Sequence, residues 1–188
     1  MIRILILSLF TIFTVIPPGQ PEIDYQHKRL YKELEREWGM VNPTLVELGI
    51  PDSLTEEMPG PGKYFRVSDS DDESRYHYIY IGRVNSCRAG GCSLSLDQET
   101  YGDSEYFDYF ILFDSLTTVQ QVRVFNYQAT HGQEVSAKGW LRQFDGYDGS
   151  TVLKVGKDID AISGATISVY GITRDVQERT RLLARIIR

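Results

Sequence analysis

Four short runs rich in aromatic and β-branched residues, arranged as two pairs, constrain this chain more than any other feature. Residues 63–67 and 76–84 flank the polar stretch Ser68, Asp69, Ser70, Asp71, Asp72 and Glu73. Residues 106–113 and 119–127 flank Asp114, Ser115, Leu116 and Thr117. Runs of this composition on either side of a turn-forming stretch read as β-hairpins, because branched and ring side chains suit a pleated surface while Asp and Ser favour the turn. The acidic stretch lacks the glycine and the distal Glu of an EF-hand calcium loop, so it reads as a solvated hairpin tip.

The rest of the chain alternates helical patterns with breakers. In residues 24–40, Leu30, Leu34 and Trp38 recur at every fourth position among charged residues, the pattern of an amphipathic helix. Residues 42–62 hold Pro43, Pro51, Pro59 and Pro61 and read as a surface connector. Residues 134–144 look helical, with Val135, Trp140, Leu141 and Phe144 near one face. Residues 166–188 carry Val169, Ile172, Val176, Leu183 and Ile187 at helical spacing, and Arg185 and Arg188 suit the negative end of that helix. A chain of 188 residues, 41% hydrophobic, supports one domain with its own core. The expectation is an α+β fold, an antiparallel sheet packed with helices. It divides into 1–20 as leader, 21–62 as N-terminal helix and connector, and 63–188 as the functional domain.

Residues 1–20 open with Met1, Ile2 and Arg3, followed by an apolar run over 4–16 and then Pro17, Pro18 and Gly19. A basic start before an apolar run of this length is the layout of a secretory signal, and the run falls short of the roughly 20 residues of an untilted bilayer span. No small-x-small cleavage site is evident, so an uncleaved short anchor is the alternative. Either reading puts the protein outside the cytoplasm, in the periplasm or on the outer face of the cytoplasmic membrane. The formal net charge of −6, with no cluster of Lys and Arg in the sequence, argues against nucleic acid as a partner.

The stretch that carries chemistry is Asp160, Ala161, Ile162, Ser163, Gly164, Ala165 and Thr166. It reads as a tight turn feeding a helix. Gly164 permits a backbone conformation that other residues resist, Ala165 keeps the approach uncrowded, and the first turn of the helix offers free N–H groups. Such a place suits a phosphate. A Thr hydroxyl there can also accept a phosphoester from a phosphate activated elsewhere. A plainer reading has Ser163 or Thr166 capping the helix, which accounts for one hydroxyl and leaves the Asp, the Gly, the Ala and the second hydroxyl without a reason.

These residues resemble the flavinylation motif of the FMN-binding domain family, Asp-x-x-Ser/Thr-Gly-Ala-Thr/Ser. The family includes the covalent-FMN subunits of the sodium-pumping NADH:quinone oxidoreductase and of the Rnf electron-transport complex. A match at the constrained positions arises by chance in about one chain of this length in a thousand. The resemblance implies that a dedicated flavin transferase attaches FMN to Thr166, with Asp160, Ser163, Gly164 and Ala165 serving recognition and the phosphate. It extends less specifically over residues 106–188, where the loop holding His131, Gly132 and Glu134 is similar to one that lies beside the flavin in family members. His131 and Glu134 are thereby candidates for contacting the isoalloxazine ring or its polyol chain, or else His131 is solvated and the loop only joins strand to helix. Tyr127, Trp140 and Phe144 could stack on the flavin, although aromatic residues at these spacings more often belong to a core.

Cys87 and Cys92 enclose two glycines and are the only cysteines. In an exported protein they form either a structural disulfide or a redox-active pair. Two cysteines without a nearby His supply too few ligands for a metal or cluster. The implied function is electron transfer through covalent FMN, with a redox partner protein that could be a membrane electron-transport complex, and with no residue assigned a catalytic role. The alternative is a flavin-dependent reductase of disulfides or small acceptors using Cys87 and Cys92. The cysteine pair, the N-terminal helix and the first hairpin mark the chain as a divergent member.

Overall fold

A computed structural model of the chain describes residues 21–57, 60–69, 72–86 and 105–188. The apolar run over 4–16 and the Cys87/Cys92 pair, with what was expected of them, lie outside the described residues. Five strands form one antiparallel sheet in simple sequence order: β1 (Pro43–Glu47), β2 (Gly62–Asp69), β3 (Asp72–Asn85), β4 (Tyr106–Phe113) and β5 (Val119–Tyr127). The two hairpins expected from the aromatic runs are β2–β3, with Tyr64 opposite Tyr80, and β4–β5, with Ile111 opposite Val122. β3 and β4 join them at the centre, Ile81 opposite Phe110.

All eight residues of β4 are buried, so this strand is covered on both faces. The period of two sorts its side chains. Phe107, Tyr109, Ile111 and Phe113 join Tyr64, Tyr80 and Val122 on one face, packed against Val169, Ile172, Val176 and Leu183 of α3 (Thr166–Ile186). Phe110 and Leu112 join Phe65, Val67, Ile79 and Ile81 on the other face, packed against Leu30 and Leu34 of α1 (Lys28–Trp38). The fold is α+β, with an antiparallel sheet between two amphipathic helices.

Three segments differ from expectation. The strands run into the polar stretch expected as the hairpin tip, since β2 extends to Asp69 and β3 starts at Asp72. Residues 43–47, expected as connector, form β1 and pair with β2, Leu45 opposite Val67. β1 is an edge strand, where a proline such as Pro43 is tolerated because one side of the strand has no ladder to donate to. Residues 134–144, expected as one helix, are three short pieces: a 3-10 turn (Gln133–Ser136), α2 (Lys138–Leu141) and a second 3-10 turn (Arg142–Phe144). The extended Ala137 separates the first two. The apolar residues still face inward, with Val135, Leu141 and Phe144 fully buried.

A charged network ties α3 to the sheet. Tyr109 donates to Asp175 Oδ2 at 2.6 Å, Arg179 donates to Asp175 Oδ1 at 2.9 Å, and Tyr64 donates to the Arg179 carbonyl at 2.9 Å. Burying a carboxylate and a guanidinium is tolerated only where both are paired and hydrogen-bonded, as here. The network orients α3 on the sheet, and thereby the start of that helix.

Candidate functional site

The start of α3 is positioned from both sides. Ile159 is fully buried and anchors the loop that leads into the helix. Its neighbour Asp160 is gripped through the main chain: Trp140 Nε1 donates to the Asp160 carbonyl at 2.9 Å, and the Asp160 N–H donates to Gln143 Oε1 at 2.7 Å. The next turn closes with the Ala165 N–H on the Ile162 carbonyl at 3.1 Å. Gly164 sits in that turn at φ +81°, the left-handed region expected for it, and a Cβ there would meet nothing within 4 Å. The backbone needs the glycine for its conformation, and the space around it is open.

Ala165 occupies the N-cap of α3 and is buried, while Thr166, the first helical residue, is exposed. Among the described residues, no side chain caps the helix, and its first turn holds no acidic residue. The first intrahelical amide is that of Val169, which donates to the Ala165 carbonyl at 2.9 Å. The N–H groups of Thr166, Ile167 and Ser168 lie ahead of it, at the positive end of a 21-residue helix dipole. The capping reading of Ser163 and Thr166 therefore does not hold: neither hydroxyl caps α3.

The loop after β5 meets this helix start. Tyr127 donates to the His131 carbonyl at 2.5 Å, and Glu105 receives the Thr130 N–H at 2.8 Å. Gly132 follows at φ +85°, where a Cβ would stand 2.7 Å from Ser168 Oγ and 3.2 Å from the Tyr127 hydroxyl. Ser168 is buried, and its Oγ lies 2.8 Å from Ser86 Oγ at the end of β3. Burial raises the Tyr127 phenol above its ordinary value, while hydrogen bonds from Ser168 and Ser86 act in the opposite direction. Three hydroxyls, from β3, β5 and α3, thus meet behind the helix start.

In front of them opens a cleft of about 240 Å³ lined by Ser86, His131, Gly164, Ala165, Thr166, Ile167 and Ser168. The fold thus brings His131 to Thr166 across 35 positions of sequence. Asp160 and Ser163 stand exposed on the loop leading into the helix, and Glu134 stands exposed on the 3-10 turn beyond Gly132. Of the three aromatic residues considered for stacking, Phe144 is core, and Trp140 lies edge-on to it at 5.7 Å. Tyr127 stacks on Phe107 at 5.4 Å. Ser86 and Ser168 were not anticipated. Ser168 follows the motif by two positions, but Ser86 is 82 residues from Ser168 and carries no local signal.

The donor set suits a phosphate: free helix amides, hydroxyls, an open glycine, and no carboxylate among the described residues lining the cleft. Thr166 adds a hydroxyl that a modifying enzyme can reach. Among the described residues, no group of three or more His, Cys, Asp or Glu stands together as a metal site.

The family model of the FMN-binding domain matches residues 104–179, the span from the start of β4 through the cleft to most of α3. No curated protein matches the chain.

Proposed function

Starting from a chain whose residues 104–179 belong to the FMN-binding domain family, we propose that FMN is joined through its phosphate to Thr166 and serves electron transfer outside the cytoplasm. The observation that carries this reading is the start of α3. A helix of 21 residues begins with an uncapped, exposed Thr166 on a left-handed Gly164 turn, facing a cleft lined by hydroxyls and His131. In the attachment step the Thr166 hydroxyl oxygen forms a bond to the FMN phosphorus. The leaving group of an activated flavin donor departs from the same phosphorus, and the hydroxyl proton is released. A flavin transferase supplies that donor and reads the residues from Asp160 to Thr166.

Once bound, the flavin supplies one- and two-electron chemistry, and the chain supplies position and surroundings. The amides of Thr166, Ile167 and Ser168 would hold the phosphate. Ser86, Ser168 and Tyr127 form the polar floor behind it. His131, exposed at the cleft, and Glu134, one turn beyond Gly132, are the side chains assigned to the ring or the polyol chain. Covalent attachment retains the cofactor where free FMN is scarce, as in the periplasm or at the outer face of the cytoplasmic membrane. The basic start and apolar run of residues 1–16 support that location. The redox partner is a protein able to approach the cleft, for which a membrane electron-transport complex is the proposed case.

Flavin fluorescence in a denaturing gel, after co-expression with a flavin transferase and export, tests the attachment. Wild type should fluoresce and Thr166→Ala should not. A second reading, reduction of disulfides or small acceptors, has one observation in its favour: Ser86, the residue before Cys87 in the chain, lines the cleft. It requires that Cys87→Ser/Cys92→Ser abolish turnover of a disulfide substrate by flavin-loaded protein, whereas electron transfer alone leaves flavin reduction by a small donor intact.

A further inference from the structure

The sheet face opposite Thr166 carries a second cleft of different character. α1 lies on this face through Leu30 and Leu34 and turns Lys28, Arg29, Lys32 and Arg36 toward a cavity of about 730 Å³, whose far wall holds Phe125 of β5 and Lys138 of α2. A smaller cleft of about 280 Å³ shares Arg36 and Lys138 and adds Arg123. In a chain with a formal net charge of −6, this gathers cations at one place, and Lys28, Arg29, Lys32 and Arg36, all on α1, form a cluster of Lys and Arg where none was expected.

The carboxylates nearby are already engaged. Glu33, its side chain 5% exposed, is shared by Arg36, by Arg123 at 3.7 Å and by Lys138 at 3.6 Å. Glu37 is held by Arg36 at 2.9 Å and by Gln121 at 2.9 Å. Asp145, on the wall of the smaller cleft, is the third and acts on Arg123 and Arg142 through its charge. Among the described residues, Lys28 and Lys32 form no ion pair within 4.0 Å. Arg123 is the most telling. Its side chain is 5% exposed, it donates Nη1 to the Val122 carbonyl at 2.8 Å, and its Nε finds no hydrogen-bond acceptor. Burial holds its guanidinium below the ordinary arginine value. Three carboxylates, Glu33, Glu37 and Asp145, stand against the seven Lys and Arg side chains that line the two clefts, which leaves positive charge uncompensated, and such charge is costly where it is buried unless an anion completes it.

We propose that this cleft binds a phosphate ester. Guanidinium forks and lysine ammonium groups suit phosphate oxygens. The His27 and Phe125 rings, 4.7 Å apart and inclined by 31°, line the larger cavity beside Lys28 and Lys32 and offer the organic part of an ester apolar contact. The ester is either a soluble one or the headgroup of an anionic phospholipid.

Two probes distinguish these sources: AMP, titrated calorimetrically into the full chain at low salt, and sedimentation of the full chain with phosphatidylglycerol vesicles. Saturable binding of AMP alone identifies a soluble ester, and binding of phosphatidylglycerol vesicles but not of phosphatidylcholine vesicles identifies a headgroup, since the apolar run of residues 4–16 would hold the chain to either kind. In either case Lys32→Gln/Lys138→Gln, two exposed positions, should weaken binding by roughly tenfold or more with an unchanged unfolding midpoint. Thr166→Ala should bind as wild type does, whether or not that residue carries flavin. Failure of both probes to bind, equal binding by the lysine variant, or loss of AMP binding in Thr166→Ala would overturn the proposal.

Discussion

Gly132 and Ser168 are packed so closely that a methyl group on the glycine would stand 2.7 Å from the serine hydroxyl. This contact seats the loop bearing His131 on the first turn of α3, and with it defines one wall of the cleft. Gly132 also adopts φ +85°, which penalises any side chain regardless of space.

Gly132→Ala is therefore expected to cost about 1–3 kcal/mol by denaturant unfolding, from backbone strain and the clash together. It should also lower flavin incorporation. Adding Ser168→Ala removes the nearest atom in the clash and should recover part of the loss, leaving the part due to φ. Additive effects in the double variant would mean that the two residues do not press on each other.

Trp140 grips Asp160 through one hydrogen bond to its carbonyl, at 2.9 Å. Trp140→Phe keeps an aromatic ring against Phe144 and removes the donor. The expected loss of stability is about 1 kcal/mol. Attachment of flavin should slow more than stability falls, because the loop from Asp160 to Thr166 loses one of its two main-chain clamps. Time courses of in-gel fluorescence beside unfolding curves measure both effects.

Gly164→Ala isolates conformation from crowding, since φ is +81° and a Cβ would meet no atom within 4 Å. Strain of about 1 kcal/mol is expected in global stability. If the turn presents Thr166 to the transferase, flavin yield should fall well beyond that. Yield equal to wild type would show that the left-handed turn is dispensable for attachment.

The phenols of Tyr64, Tyr80 and Tyr109 are all raised by burial beside Asp175. With folded values above the unfolded one, the stability they contribute is complete below about pH 10 and is lost as pH rises beyond it, because the unfolded chain releases those protons first. Tyrosinate absorbance should therefore leave a group of tyrosines untitrated until circular dichroism reports unfolding. Smooth titration of every tyrosine in the folded protein would contradict the buried network.

Much of this arrangement is legible in the sequence, for physical reasons that differ by element. β2 to β5 announce themselves because aromatic and branched residues crowd the strands while Asp and Ser crowd the turns. α1 and α3 show through Leu30, Leu34, Val169, Ile172 and Val176, which follow the helical repeat. β1 is hidden by Pro43, which reads as a breaker until the partner strand β2 is known. The three pieces over residues 133–144 imitate one helix, because Val135, Leu141 and Phe144 all point inward whatever the local winding. At the cleft, the motif from Asp160 to Thr166 marks one wall. Ser86 is brought to Ser168 by the crossing of α3 over β3, which no short-range pattern encodes.

The central claim is a covalent bond at one hydroxyl, and intact mass measures it directly. Co-expressed with a flavin transferase and exported, wild type should carry the mass of one FMN less one water, and Thr166→Ala should carry none. A wild-type chain of unmodified mass, or an FMN adduct that persists in Thr166→Ala, would contradict the account.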